Sequence, residues 1–195
     1  MIKALFKFAK IPDLIEGQKP IVIDTTSNSG NFAQLSPFIL PAPPANRFEN
    51  LWQFSKVYKQ HIGDDGLPNQ EWWIWRDWGF AQTKAYHYPM GKGAIPEYSY
   101  WHSEKLDYIQ ARKRIYAFIY AKNVRQTEAY EKLAMIYHNC LLTNKELILL
   151  DYDAYDHVKL GMSLINIINN PNRKMGHAFV LIMMLTGMLQ ECINS

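Results

Sequence analysis

Short continuous apolar runs and longer stretches of helical period divide the chain. Pro20-Ile21-Val22-Ile23-Asp24 reads as a short buried strand opened by a proline, and Glu146 to Tyr152 (ELILLDY) as a second. Thr25 to Gly30 is a polar loop. Pro37 to Pro44 is extended, because PFILPAPP cannot be helical. A helix is expected from Asn46, which can cap it, with Glu49 three residues on to complete a capping-box-like pair. On that helix Phe48, Leu51, Trp52, Ser55 and Tyr58 share one face, and Glu49, Gln53, Lys56 and Gln60 another; Gly63 to Pro68 ends it.

Glu71 to Tyr86 is expected to be helical. It carries Trp72, Trp73, Trp75 and Trp78, which cannot all lie on one helical face. Tyr88 to Pro96 is loop. A long helical stretch starts near Ser103 and runs through Ala111-Arg112-Lys113-Arg114 to about Asn139, with a break near Asn123. Tyr152 to Gly161 is a polar, aromatic loop, Ser163 to Asn169 a short helix, and Met175 to Glu191 the last helix. The apolar run Ala178 to Leu189 falls short of the ~20 residues a bilayer needs, so it reads as a buried helix. Few strands among several helices give an α+β fold, predominantly helical, with a small β element packed against the helices.

At 195 residues, 48% apolar, the chain suits one domain that buries roughly 70% of its unfolded surface without a metal or disulfide staple. Twenty-one basic and eighteen acidic residues leave +3, too weak a bias to argue for nucleic acid but permissive of an anionic ligand. Cys140 and Cys192 form no disulfide framework and no zinc spacing, which points to a reducing, cytoplasmic compartment. MIKALFKFAKIPDLIEG lacks a long apolar core and reads as mature chain rather than a leader.

Three constellations carry candidate chemistry. Glu49, Gln53 and Lys56 are either a solvated helix face or a polar stripe along a cleft, with a carboxylate at a helix start and an anion-binding lysine two turns on. Asp151, Asp153, Asp156 and His157 follow a buried strand, either as a solvated turn or as a functional loop; the spacing is not that of an EF-hand. Arg173 and Lys174 precede a helix whose positive end disfavours them unless an anion joins, so a phosphate site there is one reading. In the same segment Gly176 permits close approach, and His177 is either a structural histidine or a catalyst. Arg112, Lys113 and Arg114 read as a solvated helix face. Tyr98, Tyr100 and Trp101 are candidates for stacking on a flat ring. With no GxSxG, HExxH or nucleophilic Cys/His signature, the chemistry is that of carboxylates.

Asn31-Phe32, Ser36-Pro37-Phe38 and Phe48-Glu49-Asn50-Leu51-Trp52-Gln53-Phe54-Ser55-Lys56 together resemble the NADAR (YbiA-like) superfamily. Leu149-Leu150-Asp151, Asp156 five residues on, and Asn172 with Met175-Gly176 continue the resemblance, which covers roughly Asn31 to Leu185. Val158 stands where many members carry tryptophan, and the segment at about 63–100 is a longer, more aromatic insertion, marking a distinct branch.

The resemblance implies a single YbiA-like domain over 1–195 and an N-glycosidase that cuts a ribose C1–N bond beside a phosphate. It implies an ADP-ribose-like or phosphoribosyl ligand, extending to ADP-ribosylated nucleic acid, and no membrane, metal or redox cofactor. Glu49 and Asp156 are the expected catalytic carboxylates, in undecided roles, with Lys56 beside them. Lys56, Arg173 and Lys174 would hold phosphate, and Trp52 or Trp101 would stack on the base or ribose. Asn31, Phe32, Gln53, Asp151, Gly176 and His177 complete the expected ligand-binding set. A non-catalytic ADP-ribose-binding module and an antitoxin-like interaction protein are the rival readings.

Overall fold

A computed structural model describes residues 1–11 and 19–195. The reading of Met1 to Gly17 as mature chain extends into residues 12–18, outside the described residues. Two small sheets are set among helices, so the fold is mainly helical α+β. The first sheet is parallel, with order β1 (Ile2–Phe6), β6 (Leu147–Asp151), β2 (Ile21–Asp24). Leu147 pairs with Ile2 on one side and with Ile21 on the other. The central strand β6 buries Leu147, Ile148 and Leu149 in succession, the unbroken apolar run that a strand covered on both faces requires.

β1 was not foreseen, because IKALF alone carries no turn or alternation signal strong enough to mark a strand. The two foreseen strands lie where expected, and so does the break between α4 (Phe118–Val124) and α5 (Glu128–Leu142), whose Thr127 side chain caps Tyr130 N–H. Helix α7 (His177–Leu185) is buried along nearly its whole length. Gly187, at φ 74°, ends it and α8 (Leu189–Asn194) follows, so the expected last helix is two.

The second sheet is antiparallel, β3 (Lys56–Val57), β4 (Tyr98–Trp101), β5 (Glu104–Leu106). It accounts for two corrections. Helix α1 (Phe48–Phe54) stops well short of Gly63, because Lys56 and Val57 pair with Ser99 and Tyr98 of β4. The long helix begins at Tyr108 rather than Ser103, because Glu104 to Leu106 complete a hairpin. The cap of α1 also differs. Arg47 is the N-cap residue and offers no side-chain hydrogen bond, while Asn46 turns away and donates to the Ala81 carbonyl at 2.7 Å. Pro37 to Pro44 is non-helical, in turns rather than in one extended run.

Helix α2 (Gln70–Ala81), capped by Asn69, packs on α1. Trp72 is fully buried and donates its indole N–H to the Lys56 carbonyl at 2.9 Å, while Trp73 and Trp78 reach the surface. Gly79 permits the contact, since a Cβ there would meet the Phe54 ring at 2.1 Å. From α3 (Tyr108–Ala111) the chain passes through a π-helical segment, Arg112–Ala117, into α4. One core cluster joins residues from Ile2 to Cys192. Among the described residues no helix is long and apolar enough to cross a membrane.

Candidate functional site

The carboxyl ends of β2 and β6 open into a cleft of about 570 Å³, the side of a parallel sheet where ligands commonly sit. α1 supplies one wall. Glu49, Trp52, Gln53 and, just beyond the helix end, Lys56 line it. Spacings of four and three residues make them neighbours along one face. Gln53 donates to Glu49 Oε1 at 2.8 Å and accepts from Lys56 Nζ at 2.6 Å. His87, from the loop after α2, donates its Nδ1–H to the same Glu49 oxygen at 2.6 Å.

Glu49 is only 4% exposed, so its charge depends on these donors. Its Oε2 makes no hydrogen bond among the described residues yet is not sealed from the cleft. Burial pushes the Lys56 ammonium down to about 8, partly opposed by the Glu49 charge. No carboxylate lies within ion-pairing distance of Lys56 among the described residues, and its ammonium sits 4.9 Å from the Trp52 ring.

The opposite wall comes from β6 and the start of α7. Asp151 Oδ2 accepts the Ala178 N–H at 3.1 Å and lies 3.2 Å from His177 Nδ1, and Oδ1 accepts from Asp153 N–H. His177 Nε2 faces the Thr25 carbonyl oxygen at 2.9 Å and therefore donates to it; Thr25 Oγ1, itself donating to the Leu150 carbonyl, lies equally close. The His177 ring is thus fixed between Thr25 and Asp151. Gly176 makes this possible: a Cβ there would lie 2.0 Å from Asp151 Oδ2. Between the walls, Tyr116 is buried, and its hydroxyl is held well above its ordinary range by burial and by the charges of Asp151 and Glu49.

The cleft therefore gathers Glu49, Trp52, Gln53, Lys56, Asp151, Lys174, Gly176 and His177. Five expected residues lie elsewhere. Asp156 accepts the Lys159 N–H at 2.9 Å, and its other oxygen lies 3.6 Å from Lys3 Nζ. Five residues of strand and loop carry it off the end of β6 where Asp151 and Asp153 turn inward. Arg173 is exposed and lies over the Tyr155 ring at 5.1 Å. Asn31 and Phe32 belong to a 3₁₀ turn, Gly30–Leu35, with Asn31 in solvent and Phe32 packed on the core. Trp101, on β4, lines other hollows.

The anion site expected at the start of α7 is also filled from within. Asp151 occupies the Ala178 N–H, and Lys174 points to Asp153, 3.5 Å away, whose charge raises the lysine.

Other lining residues lay outside the sequence reading. Tyr108, Arg112 and Tyr116 fall at spacings of four on one face, a signal present in the sequence, although Arg112, with Lys113 and Arg114, is read there as a solvated face. Arg112 is 2% exposed and donates to the carbonyls of Ile167, Ile168, Asn170 and Arg173 and to the Tyr108 hydroxyl. It has no carboxylate partner among the described residues. The wider turn of the π-helical segment carries Arg112 and Tyr116, and such bulges recur at functional sites. His87 and Asp153 gave no periodic signal.

Exposed rings of Phe38, Tyr88, Tyr108 and Tyr152 stand around the mouth. Among the described residues no group of three or more His, Cys, Asp or Glu side chains is arranged to hold a metal ion. No protein family, curated protein or solved structure matches this chain.

Proposed function

We propose that the protein is an N-glycosidase of the NADAR (YbiA-like) type, acting on the ribose C1–N bond of an ADP-ribosylated base or a related phosphoribosyl nucleotide. One observation carries the reading: the buried Glu49 carboxylate, aimed by Gln53 and His87, keeps an unbonded oxygen in a cleft that also holds the cation of Lys56.

Cleavage of such a bond builds positive charge on C1 and the ring oxygen. A fixed carboxylate beside that carbon stabilises the charge, or takes a proton from the water that attacks it. Water then adds hydroxyl to C1, and the departing nitrogen gains a proton. Glu49 is assigned this role. Lys56, with no carboxylate partner among the described residues, is assigned the phosphate. The exposed rings at the mouth suit the flat base. Asp153 takes the second-carboxylate role in place of Asp156, because Asp153 lines the cleft.

Binding without cleavage is the second reading. It is favoured by the commitment of Asp151 and His177 to structural hydrogen bonds. The two part in one assay, in which the protein is incubated with an ADP-ribosylated oligonucleotide and with phosphoribosyl nucleotides and released sugar phosphate is measured. Release by the parent and its loss in Glu49→Gln support hydrolysis. Tight binding with the ligand recovered intact leaves a binding module.

A further inference from the structure

Away from the cleft, two hollows of about 660 and 300 Å³ meet at Pro44, Trp101 and His102. None of their lining residues lines the cleft. The larger adds Phe118, Arg114 and Lys122; the smaller adds Trp73, Tyr100 and Arg76. Among the described residues no aspartate or glutamate lines either hollow.

The net charge of the whole molecule hides this segregation. Arg114 and Arg76 are held in place by Glu104 and Asp77, which stand outside the hollows, and Lys122 has no carboxylate partner among the described residues. Phe118 is 52% exposed, an unusual position for a phenylalanine on a helix with an apolar side to bury.

The hairpin turn between β4 and β5 adds an independent sign. His102 and Ser103 take φ of 47° and 64°. A two-residue turn with both residues left-handed is relaxed by Asn-Gly, and other residues there cost about 1 kcal/mol each. Both side chains line the smaller hollow, and His102 meets the Trp101 ring at 4.9 Å. Strain retained at a surface turn points to a duty of those side chains.

We propose that this groove binds single-stranded nucleic acid: Trp101 and Phe118 offer ring surface for bases while Lys122 and Arg114 follow the phosphates. Exposed rings beside cations, with no carboxylate in the lining among the described residues, are what an unpaired strand requires, and a duplex hides its ring faces. The groove is separate from the cleft, so the proposal stands whether or not the cleft hydrolyses anything.

The test is fluorescence anisotropy of a labelled oligothymidylate about 12 nucleotides long, titrated with the full chain at low salt. Binding is expected, and Phe118→Ala, which removes an exposed ring, weakens it about tenfold. Lys122→Glu is expected to lower the slope of log affinity against log salt by about 0.7. His102→Asn combined with Ser103→Gly relaxes the turn. It should melt no lower than the parent and still bind more weakly, which separates recognition from folding. Loss of binding in Lys56→Met places the strand in the cleft and overturns the groove. Absence of binding at low salt, equal binding of duplex DNA or dextran sulfate, or parental affinity in all three groove variants likewise overturns it.

Discussion

The two walls of the cleft carry similar chemistry but are assembled in opposite ways. On the α1 wall, Glu49, Gln53 and Lys56 are spaced by single helical turns and bond to one another. Among the described residues, His87 alone joins these side-chain hydrogen bonds from elsewhere. On the β6–α7 wall the partnerships that fix the side chains cross the chain, apart from the local bond of Asp153 N–H to Asp151: Asp151 reaches Ala178, His177 reaches Thr25, and Gly176 makes room for Asp151. The first wall leaves a carboxylate oxygen and an ammonium available. The second spends its carboxylate on a helix N-terminus and its histidine on a threonine. Acidic residues next to a strand end are thus poor indicators of catalysis until their hydrogen bonds are counted.

Substitutions that act on one wall at a time sharpen this contrast. The largest effect is expected from Glu49→Gln, which keeps an acceptor for Gln53 and His87 but removes the charge. Sugar-phosphate release should fall about a hundredfold or more with little change in melting temperature; equal turnover would end the assignment. On the other wall, Gly176→Ala drives a methyl group into Asp151 and is expected to cost about 2 kcal/mol in denaturant unfolding. A stability unchanged from the parent would show that the wall is not rigid.

Lys56 gives a pH signature. With its value near 8 folded against 10.5 ordinarily, the unfolded chain binds more protons between those limits. The contribution of this group to stability is therefore lowest below pH 8 and recovers as pH rises to 10.5. Lys56→Met should flatten that rise in unfolding free energy. In the parent protein, the affinity of an anionic ligand should fall as pH passes about 8, read in kcat/KM or by calorimetry; a flat profile would free Lys56 of the role. The smallest effect is expected from Asp156→Asn. Lys3 keeps Glu146 at 3.0 Å, so about 0.5 kcal/mol is lost and hydrolysis stays within twofold. A large loss of activity would return Asp156 to the mechanism.

What could be read in advance follows the range of the forces involved. The α1 stripe, the strand Leu147–Asp151 and the break near Asn123 are set by neighbours within a few residues, and they were legible. The early end of α1 was not, because Lys56 and Val57 leave the helix to pair with a strand some forty residues on. Arg112 was read as solvated because its acceptors are carbonyls at the far end of the chain, and carbonyl groups leave no mark in a sequence. Asp156 is expected at the site only from the family resemblance, and a match in sequence cannot say which way a loop turns.

By itself the sequence determined the helical character, the buried central strand and the polar stripe of α1, since periodicity and local hydrogen bonding are properties of adjacent residues. Tertiary structure alone decided which charges share a hollow. Burial is decided jointly by distant segments, and it determines whether a carboxylate is spent on a backbone N–H, as in Asp151, or left with an oxygen to use, as in Glu49.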